Sequence, residues 1–187
     1  MKKILFLSLV ILTALTTWGD AKVKSGTMRN LKNADTRVLV TWDYSKMLIE
    51  DKSPEAFLAE KGSDWQKDYA AEVAASESAF TTKFNKKNKK YALITDDEDA
   101  AQYEMIIHVD KLHYGSTAVA VIFGGFGRGA HLEGTIDVVD TATKTVVCNI
   151  KFDCSGEALL GNEARRVSAY EDLAEDVAKL VSKAKNK

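Results

Sequence analysis

The sequence has a single proline, two cysteines and an almost even balance of charge among its 187 residues. With 26 basic and 27 acidic residues, it lacks the excess of lysine and arginine that a nucleic-acid-binding face requires. Two cysteines cannot make a disulfide-dense scaffold, yet the chain is long enough to bury a core without such crosslinks. These scarcities exclude a nucleic-acid partner and favour one ordinary globular domain.

Long apolar runs are also scarce, and the clearest one lies at the amino terminus. Two lysines precede an apolar stretch over residues 4–15, and small residues follow before Asp20. This pattern predicts a secretory signal peptide over residues 1–19, with cleavage after Gly19 or after Ala21; a retained membrane anchor is the alternative. Since no cysteine follows the run and no second run could span a bilayer, we expect an exported protein, periplasmic or secreted, without a lipid anchor.

The two cysteines, Cys148 and Cys154, are predicted to be free core residues rather than a disulfide. Their even spacing places them on one face of a single strand, about 20 Å apart at roughly 3.3 Å per residue. A disulfide requires Cα atoms within about 7 Å of each other. Pairing would therefore need a break in the strand or a bridge between molecules, and both alternatives stay open.

Helical periodicity appears in two segments of the chain. After an irregular entry segment (residues 20–35), a single domain is expected over residues 36–187. Within it, apolar residues at helical spacing predict long amphipathic helices over about residues 64–87 and about residues 169–185. A serine three residues before Gln or Glu precedes each of them, which is the pattern of a capping box.

Four segments between these helices read as neighbouring antiparallel strands: YEMIIHVDKLHYG, TAVAVIF, HLEGTIDVVD and KTVVCNIKFDCSG. In the last two, alternate residues are apolar, and the opposite face carries Glu133, Thr135, Asp137, Asn149, Lys151 and Asp153. A sheet with one apolar and one polar face is covered on one side. The predicted fold class is α+β, a two-layer sandwich in which a mainly antiparallel sheet carries two long amphipathic helices on one face.

A glycine-rich stretch, GGFGRG, follows the second of these segments. It lacks the Gly-Lys-Ser/Thr of a Walker loop, and the next segment alternates as a strand, so no helix amino terminus is available to hold a phosphate. The stretch therefore predicts a tight connection between strands. Phe126 and Arg128 within it are candidate partner-binding residues; the alternative is that the glycines only relieve backbone crowding.

The three histidines provide the remaining candidate chemistry. His108 and Asp110 share one strand face, His113 falls on the other if the strand is regular, and His131 could approach from the neighbouring strand. His108, Asp110 and His131 thus form a candidate polar cluster. A metal site needs three or four converging ligands, and no nucleophile-elbow motif is present. We accordingly expect no metal, no cofactor, no catalytic residue and no enzyme.

Three stretches together resemble a family of bacterial envelope proteins of unknown function: AAQYEMIIHVDKL, GGFGRGAHLEGTIDVVDTATKTVV and the final amphipathic helix. Many members of that family are lipoproteins, and its α/β domain is similar to those of the curli secretion lipoprotein and the TolB amino terminus. The resemblance covers roughly residues 36–185 and brings no catalytic residues. This sequence departs from the family because it lacks a lipidation cysteine.

The sequence supports two hypotheses of function. The first is an exported, non-catalytic binding or assembly module of the cell envelope, with the glycine-rich tip or the polar sheet face as its recognition surface. Its partner would be an unknown envelope protein or surface ligand. The alternative is a small periplasmic hydrolase with a site on the open sheet face, built around His108, Asp110 and His131.

Overall fold

Seven strands form one open, mixed sheet in the computed structural model, which describes residues 21–115 and 129–185. Across the sheet the order is β1 (Lys22–Gly26), β7 (Thr145–Ser155), β6 (His131–Asp140), β5 (Tyr103–His113), β2 (Arg37–Asp43) and β4 (Leu93–Ile94), and β3 (Leu48–Ile49) pairs with the end of β5 beyond β2. The pairs β1–β7, β7–β6 and β6–β5 are antiparallel. Beyond β5 the pairing is parallel.

Three helices of the described chain, α1 (Pro54–Lys61), α2 (Ser63–Lys87) and α3 (Asn162–Lys183), complete the fold. The Ser53 hydroxyl accepts a hydrogen bond from the Ala56 amide at 3.2 Å, which caps α1. The long helices α2 and α3 pack on each other over one face of the sheet. The predicted α+β two-layer sandwich is confirmed.

The core lies between the two long helices and the covered face of the sheet. Phe80 and Phe84 of α2 are fully buried, as are Ile107, Ile136 and Ile150 of the three central strands. Burial of such side chains is the main stabilising contribution to a domain of this size. Cys148 and Cys154 belong to this core and are free, which confirms their interpretation as small apolar residues.

The entry segment over residues 20–35 is more regular than the sequence predicts. Lys22–Gly26 forms β1 at the edge of the sheet, and Arg29–Lys32 forms a short 3-10 helix whose Leu31 is buried. All five side chains of β1 are exposed. Because no side chain of β1 is buried, its sequence needs no alternation of apolar and polar residues. The strand is held by backbone pairing with β7, which a sequence pattern does not reveal.

The two capping boxes predicted for the long helices are absent. Gly62 precedes α2, and no side chain caps that helix. Helix α3 begins at Asn162 rather than near residue 169, so Ser168 lies inside the helix. The Ser168 hydroxyl accepts a hydrogen bond from the Glu157 amide at 2.8 Å and fixes the preceding loop instead.

Several predicted features lie outside the described residues: the signal peptide (residues 1–19), the strand TAVAVIF, Phe126 and Arg128. Within residues 21–115 and 129–185, no helix is long and apolar enough to cross a membrane.

Candidate functional site

The sheet face opposite the helices, called the open face below, holds all three histidines. His108 on β5 lies between two carboxylates: its Nδ1 is 2.7 Å from Asp43 Oδ2 and its Nε2 is 3.5 Å from Asp137 Oδ2. These groups and Asp110 line a shallow depression of about 250 Å³. Both ring nitrogens of His108 are thus engaged by acids from neighbouring strands.

Asp43 is held in its ionised form by hydrogen bonds. Ser45 provides the largest contribution, including a backbone amide 2.9 Å from Asp43 Oδ1, and His108 adds to it. Because hydrogen bonds to the carboxylate favour the charged form, the pKa of Asp43 lies well below its ordinary value. The His108 ring therefore faces a charged acceptor at neutral pH.

A bulge in β5 decides where His113 points. The register between β5 and β6 shifts between Val109 and Lys111, so that Asp110 is the extra residue. The shift moves His113 onto the open face, where its ring centroid lies 6.5 Å from that of His131. The prediction that His113 falls on the opposite face is wrong, because it assumed a regular strand.

The bulge is accommodated by Gly134 of β6. A Cβ added there would lie 2.0 Å from the His108 carbonyl oxygen and 2.5 Å from Phe152 Cζ. Glycine thus permits a close approach of β5 that another residue would prevent, and the Phe152 ring covers the gap from β7.

His131 contacts a serine and two acids. Its Nδ1 lies 2.8 Å from Ser155 Oγ, and its Nε2 lies 3.1 Å from Glu133 Oε1 and 3.4 Å from Asp153 Oδ1. Serine, histidine and acid are the elements of a hydrolytic triad. A triad also needs donors for an oxyanion, and the amide next to Ser155, that of Gly156, donates to the Ala130 carbonyl instead.

The three members of the predicted polar cluster divide between two places. His108 and Asp110 line the same depression. His131 pairs with His113, whereas His108 pairs with Thr135, four residues further along β6 and about 13 Å away at roughly 3.3 Å per residue. Within the described part of the chain, no group of three or more His, Cys, Asp or Glu side chains is arranged to hold a metal ion.

A second region, which sequence reasoning missed, lies at the end of the domain where α2 and α3 begin; we call it the helix-start end. A cavity of about 460 Å³, the Arg165 pocket, opens there, and its lining includes Lys61, Trp65, Tyr114, Asn162 and Arg165. Arg165 is 2% exposed. Arg165 and Arg166 are consecutive arginines in the first turns of an amphipathic helix, which is unusual. This pair is the sequence feature that could have indicated the region.

Beside this pocket lies a groove of about 570 Å³, the Leu160 groove. It runs between the first turns of α2 and the start of α3, and its lining includes Trp65, Ala71, Leu160 and Ala164. Leu160 is 75% exposed and Leu159 is 38% exposed. The leucine pair therefore lies outside the core, beside the groove.

A buried polar network supports the helix-start end from below. Arg166 is completely buried; its Nη1 lies 3.5 Å from Glu72 Oε1 and from the Tyr114 hydroxyl, and its Nη2 lies 3.4 Å from the Tyr170 hydroxyl. Tyr114 also donates a hydrogen bond to Glu72. Burial raises the pKa of Tyr114 far above its ordinary value, so the phenol stays neutral.

Comparison with known proteins identifies no family for this chain. No family model matches the chain, and no curated protein matches it. A PelC dodecamer from Paraburkholderia phytofirmans, in space group P6, is 15% identical with a TM-score of 0.47; the match covers 84% of this chain and 98% of that chain. A single-substitution variant of that dodecamer, in space group C2, is 14% identical with the same TM-score and coverages of 85% and 97%. At these values the likeness is loose.

Proposed function

We propose that this protein is an exported, non-catalytic binding or assembly module of the cell envelope that docks a partner at its helix-start end. The observation that carries the proposal is the exposure of Leu160 beside Leu159, next to the Leu160 groove. Covering an exposed apolar side chain of this size on binding is favourable by about 1.5–3 kcal/mol. Exposed leucines at the rim of a groove are the arrangement that a docking partner covers.

The open face supports this proposal by contrast. Its histidines are paired with carboxylates of the same face. On such a face the acids and the histidines satisfy one another's charges.

The docking proposal is tested by recovery of partners from envelope extracts with the mature protein as bait. Leu160→Ser should reduce recovery of every specific partner at least about tenfold, while Val146→Ser should not. Val146 is the matched control because it is 54% exposed and lies at the opposite end of β7. Equal recovery with both variants would refute docking at this end.

Phe126 and Arg128 in the glycine-rich connection remain candidate partner-binding residues. In the sequence, both residues lie between Gly115, which lines the Arg165 pocket, and the first residue of β6. A double variant, Phe126→Ser with Arg128→Ser, should weaken recovery in the same assay. Unchanged recovery would confine docking to the leucine pair and its groove.

Export is tested separately by fractionation and determination of the mature amino terminus. The proposal expects the protein outside the cytoplasm, with its first residue at Asp20 or Lys22. Recovery of an intact Met1 in a membrane fraction would favour the retained anchor instead.

A small hydrolase is the second candidate, because Ser155, His131 and Glu133 are in contact. It predicts turnover of a simple ester such as p-nitrophenyl acetate that Ser155→Ala abolishes. Asn149→Ala, on the same face of the same strand, is the control. No turnover by the wild-type protein, or turnover that survives in Ser155→Ala, would exclude this serine as a nucleophile.

A further inference from the structure

Arg165 is almost completely buried, yet its guanidinium is incompletely satisfied. Its Nε donates to the Gly161 carbonyl at 3.3 Å, and its Nη2 donates to Asn162 Oδ1. Its Nη1 is buried and has no hydrogen-bond partner among the described residues. A buried charged donor without an acceptor is costly, and buried polar groups in folded proteins are nearly always paired.

The guanidinium lies against the amino terminus of α3, a helix of 22 residues. Gly161 precedes the helix, and no side chain caps it. The side-chain oxygen of Asn162, which could otherwise cap the helix, accepts a hydrogen bond from Arg165 instead. The first amides and the guanidinium therefore add their positive potential at one place.

The charges that line the Arg165 pocket leave a positive excess, and Glu163 in the first turn of α3 lines the neighbouring Leu160 groove instead. Its acids are Glu50 and Glu60, and its further cations are Lys52 and Lys61. Glu60 pairs with Lys52. Glu50 Oε1 accepts a hydrogen bond from the Tyr114 amide at 2.8 Å, and Glu50 Oε2 lies 3.2 Å from His113 Nδ1. Both acids thus have partners of their own.

Lys61 and the aromatic walls complete the pocket. The Lys61 ammonium lies 5.3 Å from the Phe57 ring centroid and 5.6 Å from that of Trp65, and Trp65 meets Tyr114 edge to face. Among the described residues, Lys61 has no carboxylate partner. The pocket therefore combines aromatic surface with two cations, Arg165 and Lys61, that have no carboxylate partner among the described residues.

From this arrangement we propose that the Arg165 pocket binds an oxyanion, carboxylate or phosphate, carried by a ligand with an apolar or aromatic body. Nη1 of Arg165 donates to the anion, Lys61 closes over it, and the body lies against Trp65. Hydrogen bonds from charged donors to an oxyanion are among the strongest polar contacts in proteins. The inference rests on the proposed docking at the helix-start end and adds the chemistry of what is recognised there.

Calorimetric titration of the mature protein tests it with three probes of similar size: benzoate, phenyl phosphate and benzyl alcohol. We expect saturable binding of at least one anionic probe and none of the neutral alcohol. Benzoate and phenyl phosphate distinguish a carboxylate ligand from a phosphate ligand. Binding of benzyl alcohol as tight as that of both anions, or binding of no probe, would overturn the proposal.

Variants locate the site. Arg165→Met should weaken anion binding about tenfold or more, since a charge-assisted hydrogen bond contributes about 1.5–3 kcal/mol. Lys61→Gln, at the rim, should weaken it about threefold without affecting the fold, and Lys46→Gln on the open face should leave it unchanged. Circular dichroism reports whether Arg165→Met still folds. If it does not, Lys61→Gln is the deciding variant, and undiminished anion binding by Lys61→Gln refutes the site.

Failure of this proposal and failure of docking are distinguishable. Leu160→Ser should reduce partner recovery at least about tenfold and leave binding of the small anion intact. Weakened anion binding in Lys61→Gln with full partner recovery would separate the pocket from the docking surface and overturn the link between them.

Discussion

The open face and the helix-start end differ in how their charged side chains are paired. On the open face, His108 lies between Asp43 and Asp137, and His131 contacts Glu133, so positive and negative groups satisfy one another. At the helix-start end, Arg165 keeps an unpaired nitrogen and Leu160 is exposed to solvent.

This difference shows that the number of polar residues on a surface does not tell how many of them are free to bind a ligand. The histidines of the open face are the candidate site in the sequence, yet in the structure each of them is paired with a carboxylate. A region that lacks its own partners is the better candidate for binding, because a ligand then provides contacts that the folded chain does not make.

The largest effect is expected from the buried network beneath the helix-start end. Glu72→Ala leaves Arg166 buried without its carboxylate, which should lower the free energy of unfolding by about 3–5 kcal/mol. Glu104→Ala on the open face removes a partly exposed carboxylate bonded to Thr41 and should change it by about 0.5 kcal/mol. Urea denaturation measures the free energy of unfolding of both variants. Similar losses would show that the buried carboxylate stabilises the fold no more than the partly exposed one.

The bulge provides an intermediate effect. Gly134→Ala would force a Cβ to within 2.0 Å of the His108 carbonyl oxygen, so β5 must shift away from β6. Overpacking of this kind costs about 1–3 kcal/mol. Thermal unfolding measures the loss, and Thr135→Ala, the neighbouring residue on the open face, is the control. A Gly134→Ala protein as stable as wild type would show that the close approach at the bulge is unnecessary.

The smallest effect concerns pH and the open face alone. Because the pKa of Asp43 is lowered in the folded protein, its contribution to stability is fully present above its ordinary pKa of 3.8 and is lost as the pH falls towards the lower folded value. Asp43→Asn should therefore make stability fall less steeply between about pH 5 and pH 2. Ser45→Ala, which removes the hydroxyl but keeps the amide, should give an intermediate slope. Identical acid profiles for all three proteins would contradict the role assigned to Ser45.

Prediction from the sequence succeeded where the pattern is local. Alternation over HLEGTIDVVD matches β6 residue for residue, and the helical periodicity of residues 64–87 matches α2 to within one residue. It was wrong where a long-range contact decides. The extra residue at Asp110 reverses the side on which His113 lies, and the polar edge strand β1 forms through pairing with β7.

The candidate site was less predictable than the fold for the same reason. His108 and Asp110 line one depression of the open face, but the acids that hold His108 come from β2 and β6. Arg165 appears in the sequence as a charged residue of a polar stretch. Its burial follows from the packing of α3 beside α2, and periodicity alone does not contain that information.

The sequence by itself therefore determined the long helix α2, the strand β6 and the apolar face of the sheet, since each follows from residue spacing along a few turns or one strand. Tertiary structure alone decided which charges are paired and which are not. Coulombic and hydrogen-bond partners depend on distances between residues far apart in the chain, and those distances exist only once the sheet and the helices are packed together.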